Sequence, residues 1–276
     1  MHILFTGGSS PLGVRVLTEL LKNEELHVWA SVHKRRVPLE HSRLHCFDLD
    51  IESPDLKQVP ALDRVIHFAG VTHAEDPDRY WQVNHKGTIK LAEAGRNRGC
   101  RSFVYVSTRC ATQGSGAYGE SKLAAEKSLQ KIGFEQLLIL RPSEIYGGGG
   151  DEGVDRMLTL AARTHIVPFM FGDRRLRFAP LVIEDFVARV VELIDTQGIV
   201  ELCGPEDLSS RELAMRIARR YHALPIPLWW PGLVFALKVL RPLGISPVKP
   251  DQIGRAVGDK TCYQSSRDTQ LKKFLI

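Results

Sequence analysis

His2-Ile3-Leu4-Phe5-Thr6-Gly7-Gly8-Ser9-Ser10-Pro11-Leu12-Gly13 is the stretch whose reading decides the fold class. A short apolar run enters a glycine-rich turn, and Val14, Leu17, Leu20 and Leu21 then recur at helical spacing on one face. Strand, glycine turn and helix in that order let backbone N–H groups and a helix N-terminus meet a pyrophosphate. Glycine occurs in many tight turns, so the flanking strand and helix carry the reading. The residues expected against a dinucleotide are Gly7, Ser9, Ser10, Pro11, Leu12 and Gly13. Ser10 stands where the middle glycine of a G-x-x-G-x-x-G pattern belongs. Serine is small enough for close approach, and Pro11 suits a first helical turn.

Outward from this turn, strand-like runs recur at Leu26–Val32, Arg64–Phe68, Phe103–Val106 and Leu137–Leu140, with helical stretches at Trp81–Asn97 and Tyr118–Ile132. Strands alternating with helices predict a doubly wound parallel α/β sheet of Rossmann type, with right-handed crossovers. The expected division is a dinucleotide-binding domain over 1–146 and a smaller, mainly substrate-binding lobe over 147–276. That lobe is Gly- and Pro-rich and returns to the sheet over about 180–204, near Val200–Leu202.

The bulk numbers exclude several classes. The chain has 276 residues, 43% hydrophobic and 25% charged, the composition of an ordinary globular protein. Its net charge of +5 is dispersed, and no aromatic-basic stretch of the kind that reads nucleic acid occurs. Cys46, Cys100, Cys110, Cys203 and Cys262 lack C-x-x-C spacing, so neither a metal site nor a disulfide framework is expected, in keeping with a cytoplasmic location. The most apolar stretch, Pro227–Leu240, is too short and interrupted for an integral membrane segment, although Trp229 and Trp230 offer a peripheral contact.

Two further stretches bear on chemistry. The second strand ends at His33-Lys34-Arg35-Arg36, where NAD-preferring dinucleotide folds place an acid against the ribose 2′-hydroxyl. Cations there can pair with a 2′-phosphate, which favours NADP, with NAD as the alternative. Phe103-Val104-Tyr105-Val106-Ser107-Thr108 is followed by Tyr118-Gly119-Glu120-Ser121-Lys122, which on a helix puts Tyr118 and Lys122 on one face. A free tyrosine, with a pKa of about 10, is a poor base at neutral pH. A neighbouring ammonium stabilises phenolate and brings proton transfer within reach. Thr108, Tyr118 and Lys122 are the candidate catalytic residues, the Thr108 hydroxyl holding a substrate oxygen.

Together these motifs resemble the extended branch of the short-chain dehydrogenase/reductases, the NAD(P)-dependent epimerase/dehydratase family. The likeness extends to His67-Phe68-Ala69-Gly70, Val83-Asn84-His85-Lys86-Gly87-Thr88, Arg141-Pro142-Ser143-Glu144-Ile145-Tyr146-Gly147, Pro180-Leu181-Val182-Ile183-Glu184-Asp185 and a final helix over Asp268–Phe274. It implies that Asp48 and Leu49 border the adenine, that Phe68, Ala69 and Gly70 line the cofactor, and that Pro142 and Ile145 pass the nicotinamide. Asn84 is read as supporting its helix backbone. The resemblance also implies a homodimer built on Trp81–Asn97 and Tyr118–Ile132, where Ile89, Leu91, Leu123 and Leu129 supply apolar residues beyond a single core stripe.

Departures shape the substrate expectation. Arg109-Cys110 replaces the Asp-Glu pair of sugar-nucleotide 4,6-dehydratases, which removes the acid and base for water elimination. Only nine residues lie between Thr108 and Tyr118, a short loop that leaves an open pocket. Thr72, Arg109, Arg175 and Arg177 are the candidate substrate contacts, the last two on one face if extended and suited to a nucleotide diphosphate. The leading expectation is a sugar-nucleotide epimerase or 4-keto reductase. An oxidoreductase of a sterol- or lipid-like alcohol or ketone, and a cofactor-binding scaffold without turnover, are the alternatives.

Overall fold

A computed structural model of the chain describes residues 1–149, 153–172, 176–232, 235, 271 and 273–274. Its first compact unit takes residues 1–113, 117–141 and 186–200. The chain runs β1 (His2–Thr6), α1 (Pro11–Leu20), β2 (His27–Val32), β3 (Leu44–Asp48) and β4 (Arg64–His67). A helical run follows, made of α2 (Asp78–Tyr80), a π-helical segment (Trp81–Gly87) and α3 (Thr88–Asn97). Then come β5 (Ser102–Val106), α4 (Ala117–Ile132) and β6 (Gln136–Pro142).

The second unit takes 114–116, 142–185 and the residues from 201 onward. It contains β7 (Ile145–Tyr146), α5 (Gly153–Thr164), β8 (Ile166–Phe171), β9 (Arg177–Phe178) and β10 (Leu181–Val182), after which α6 (Ile183–Leu193) and β11 (Gly198–Leu202) run largely within the first unit. β12 (Leu208–Ser209), α7 (Ser210–Tyr221) and β13 (Leu224–Trp229) complete the second unit.

The central sheet has seven strands in the order β11-β6-β5-β4-β1-β2-β3. Parallel pairing joins β6 to β5, β5 to β4, β4 to β1, β1 to β2 and β2 to β3. The order reverses at β1, between β2 on one side and β4 on the other, the switch point at which such sheets bind ligands. Central parallel strands are covered on both faces and read as unbroken apolar runs. Accordingly Ile3, Leu4 and Phe5 are fully buried, as are Phe103, Val104 and Tyr105. On α1 the buried residues are Gly13, Val16, Leu17 and Leu20; Val14, expected on that face, is half-buried, and Val16 takes its place.

In the second unit, α5 and α7 pack with β8 around Val154, Ala161, Val167, Leu213, Ala214 and Ile217. The β7–β10 and β9–β12 pairs are two residues long, and β8 pairs with β13 in parallel from Ile166↔Leu224 to Phe171↔Trp229. The adjacent tryptophans separate: Trp230 is buried, whereas Trp229 is 60% exposed. Cys46, Cys100 and Cys110 are free thiols, but Cys203 is disulfide-bonded, which corrects the expectation of reduced cysteines throughout. Among the described residues no helix is long and apolar enough to cross a membrane. Most of the expected final helix, most of Pro227–Leu240 beyond Gly232, Cys262 and Arg175 lie outside the described residues.

Candidate active site

The glycine turn joins β1 to α1, and two of its glycines are sterically required. Gly7 has φ +82°, and a Cβ there would stand 2.7 Å from the Ala69 nitrogen. A Cβ on Gly13 would stand 2.2 Å from the Gly7 oxygen. Ser10, in the middle-glycine position, is the N-cap of α1: its Oγ accepts from the Gly13 N–H at 3.0 Å and donates to the Gly7 oxygen at 2.9 Å. Such a cap stabilises a helix by about 1 kcal/mol. Serine therefore substitutes for glycine here by tying the turn to the helix it opens, while Pro11 begins that helix. A turn closed this tightly at a helix N-terminus fits a dinucleotide pyrophosphate, which Gly7, Ser9, Ser10, Leu12 and Gly13 would hold.

Other expected cofactor contacts follow or end β2, β3 and β4. His33, Lys34 and Arg35 follow β2 and are exposed. Asp48 ends β3, also exposed, and the Leu49 N–H donates to the Val32 oxygen at 2.9 Å, with the Leu49 side chain buried. Phe68, Ala69 and Gly70 follow β4, where Phe68 stacks on Phe5 with ring centroids 5.1 Å apart. Pro142 and Ile145 lie in the second unit, at the end of β6 and the start of β7.

Behind the turn runs a buried polar chain whose donors and acceptors fit one consistent order. The Ala69 N–H donates to Thr6 Oγ1 at 3.2 Å, and the Thr88 hydroxyl donates to the Asn84 oxygen at 2.8 Å. Between them, Thr6 Oγ1 meets His67 Nδ1 at 2.6 Å and Thr88 Oγ1 meets His67 Nε2 at 2.9 Å. With the Thr88 proton committed to Asn84, His67 Nε2 must donate and Nδ1 must accept from Thr6. Complete burial, with Lys122 adding a smaller effect, pushes the His67 pKa down to about 3 and holds the ring neutral. Asn84 corrects an expectation: its side chain clamps not its own helix but Val71, accepting from the Val71 N–H at 2.7 Å and donating to the Val71 oxygen at 2.9 Å.

Thr108 follows β5, and its Oγ1 accepts from the Cys110 N–H at 3.1 Å, which fixes the hydroxyl's position. On α4, Lys122 is buried, donates from Nζ to the Val106 oxygen at 3.0 Å, and lies 4.8 Å from the Tyr105 ring centroid. Burial lowers its pKa to about 8, opposed by the carboxylate of Glu126 one turn along. A Cβ on Gly70 would stand 3.3 Å from Lys122 Nζ, so a glycine keeps that side of the ammonium open. Tyr118, half-buried one turn before Lys122, meets Tyr80 edge-on with ring centroids 5.9 Å apart.

Two supporting groups carried no local signal in the sequence. Tyr80 accepts the Ala74 N–H at 2.9 Å through its hydroxyl and orders the loop that contains the exposed Thr72. Beneath Lys122, Glu126 accepts from the Ser107 hydroxyl and pairs with Arg141, Nε to Oε1 at 3.0 Å and Nε to Oε2 at 3.2 Å. The remaining substrate candidates are dispersed: Arg109 is half-buried after Thr108, and Arg177 is bound to Asp207, Nε to Oδ1 at 2.8 Å and Nη2 to the backbone oxygen at 3.1 Å.

Residues 3–199 match the NAD dependent epimerase/dehydratase family. The chain belongs to that family. A member from Caulobacter vibrioides, named ceramide reductase, is 32% identical over 214 residues, 72% of this chain and 63% of the relative. The present chain thus spans under two thirds of that protein's length. Another, the UDP-glucose 4-epimerase of Vibrio cholerae, is 25% identical over 82% of this chain and 79% of its own. Among solved structures, the Thermus thermophilus UDP-glucose 4-epimerase complex with NAD superposes with TM-score 0.68 at 20% identity, covering 93% of this chain and 97% of that one. At that identity the likeness shows the shared epimerase/dehydratase fold.

Proposed function

We propose that this epimerase/dehydratase family member is an NADP(H)-dependent oxidoreductase that interconverts a secondary alcohol and a ketone on a lipid-like substrate. The observation that carries the reaction type is the buried Lys122 ammonium, fixed by Val106 and Tyr105 one helical turn from Tyr118. A nicotinamide, when bound, supplies the two-electron redox chemistry. Tyr118 takes the hydroxyl proton in oxidation and returns it in reduction, and the ammonium of Lys122 stabilises its phenolate. Thr108, with its oxygen already accepting from Cys110, directs its hydroxyl proton toward the substrate oxygen. The exposed Lys34 and Arg35, with no acid among the residues that directly follow β2, support a 2′-phosphate and hence NADP.

Two features favour an apolar substrate. Arg177, read from sequence as a diphosphate contact, has its guanidinium engaged by Asp207. The relative from Caulobacter vibrioides bears a lipid substrate in its name. A sugar-nucleotide epimerase or 4-keto reductase is the second reading, favoured by the alignment that covers 79% of the Vibrio cholerae enzyme.

The experiment is a substrate screen of the purified chain with NADPH and NADH, using long-chain ketones and nucleotide-diphosphate sugars, with Tyr118→Phe as control. Oxidation of NADPH by a lipid ketone, reduced about 10²-fold or more in Tyr118→Phe with cofactor binding retained, is the expected result. Turnover of sugar nucleotides alone would move the assignment to the second reading. Unchanged turnover in Tyr118→Phe would refute the mechanism.

A further inference from the structure

The parallel ribbon of β8 and β13 contains twelve residues, Ile-Val-Pro-Phe-Met-Phe and Leu-Pro-Ile-Pro-Leu-Trp, without one polar side chain. Much of it faces solvent: Leu224 is 62% exposed, Trp229 60%, Phe171 46% and Ile166 43%. The exposed indole is held in place. A Cβ on Gly172, at φ +95°, would stand 3.1 Å from Trp229 Cδ1, and one on Gly232 would stand 2.4 Å from its Cε3. Two glycines therefore let backbone pack directly on the ring, which presents a fixed apolar surface rather than a mobile side chain.

Charge is arranged at one end of this ribbon. Because the strands are parallel, both begin beside helix C-termini: α5 leads into β8 and α7 into β13. Arg163 stands in the last turn of α5 and Arg219 and Arg220 in the last turn of α7, all three exposed. Each strand is entered through a left-handed histidine, His165 at φ 53° and His222 at φ 50°, both exposed. The sequence from Leu213 to Pro250 contains no Asp or Glu, while Arg216, Arg219, Arg220, Lys238, Arg241 and Lys249 fall within it.

We propose that the β8–β13 ribbon docks the protein on an anionic lipid bilayer, with Trp229, Leu228, Leu224 and Phe171 entering the headgroup boundary and Arg163, Arg219 and Arg220 resting on the phosphates. Apolar area joined to a cationic end is the complement of such a surface, and indole favours that interface. The inference concerns this surface alone and stands whatever substrate the active site takes.

The test is co-sedimentation of the full chain with phosphatidylcholine vesicles, with and without phosphatidylglycerol. Binding to the mixed vesicles, weakened by salt and falling about tenfold or more in both Trp229→Ser and the Arg219→Ser/Arg220→Ser pair, is expected. Both changes fall on exposed side chains, and unchanged thermal melts will show that the fold is kept. Vesicles should also shift tryptophan emission to the blue in the parent but not in Trp229→Phe, which should still bind. No binding to mixed vesicles, or equal binding to neutral ones, would overturn the proposal. So would self-association in solution that Trp229→Ser abolishes, or a Trp229 shielded from acrylamide before vesicles are added.

Discussion

Lys122 shows how a single buried charge serves chemistry against stability. Its folded pKa, lowered by burial to about 8, lies below the ordinary lysine value of 10.5. Below pH 8 the folded protein must carry a desolvated ammonium that the unfolded chain would hydrate. That cost is relieved as pH rises from about 8 to about 10.5, where the unfolded chain binds more protons. Lys122→Met should therefore raise stability at pH 7 by about 1–3.5 kcal/mol, the upper figure being the pKa difference at about 1.4 kcal/mol per unit. The same variant should lose most turnover. Chemical denaturation beside steady-state kinetics would measure both, and a variant that is less stable and still active would contradict this account. Glu126→Gln should act in the opposite sense, destabilising by about 3 kcal/mol or more, because it leaves the Arg141 guanidinium without its carboxylate in a buried setting.

Elements are joined by groups that no local pattern reveals. The Thr6–His67–Thr88–Asn84 chain ties β1 to β4 and to the helix that packs over them. Because the His67 ring stays neutral to about pH 3 while an unfolded histidine takes its proton near 6.5, this element-spanning bond network loses stability as pH falls below 6.5. Between pH 7 and pH 5 the loss from this residue should be about 2 kcal/mol. Urea denaturation at the two pH values should show that slope in the parent and a shallower one in His67→Gln; equal slopes would place the acid sensitivity elsewhere. The glycine turn and the long central strands were legible because apolar runs and a turn residue repeat locally. The two-residue strands β7, β9, β10 and β12 were not, since tertiary pairing alone makes them strands. Nor was the π-helical segment, whose Val83-Asn84-His85-Lys86-Gly87-Thr88 reads as ordinary helix. Ser107, Glu126 and Arg141 stand far apart along the chain and become one group only when β5, α4 and β6 are adjacent. Tyr118 and Lys122 could be named because a fixed spacing on one helix carries its own geometry, and Thr108 because it closely follows the legible apolar strand β5.

At the scale of the whole molecule, a homodimer on the outer faces of α3 and α4 is proposed. Leu91 and Leu129 do not contribute to it, being fully buried in their own unit, which leaves Ile89 and Leu123 as the partly exposed apolar residues. Beside Ile89, a shallow groove of about 500 Å³ is lined by Glu93, Arg96, Ser128 and Lys131, a mix of both charges suited to a two-fold contact. Light scattering should report a dimer that Ile89→Asp converts to monomer; a monomeric parent would remove the assignment. The position of β1 in the middle of the sheet has a consequence for how the chain comes into being. Ile3 pairs with Val28 on one side but with Arg64 on the other, and it has no exposed surface in the finished protein. Until the segment through His67 has been synthesised, a nascent chain therefore carries β1 with one edge unpaired and Ile3, Leu4 and Phe5 uncovered. This strand must wait for later ones, which leaves the ribosome-bound intermediate open to aggregation until they arrive.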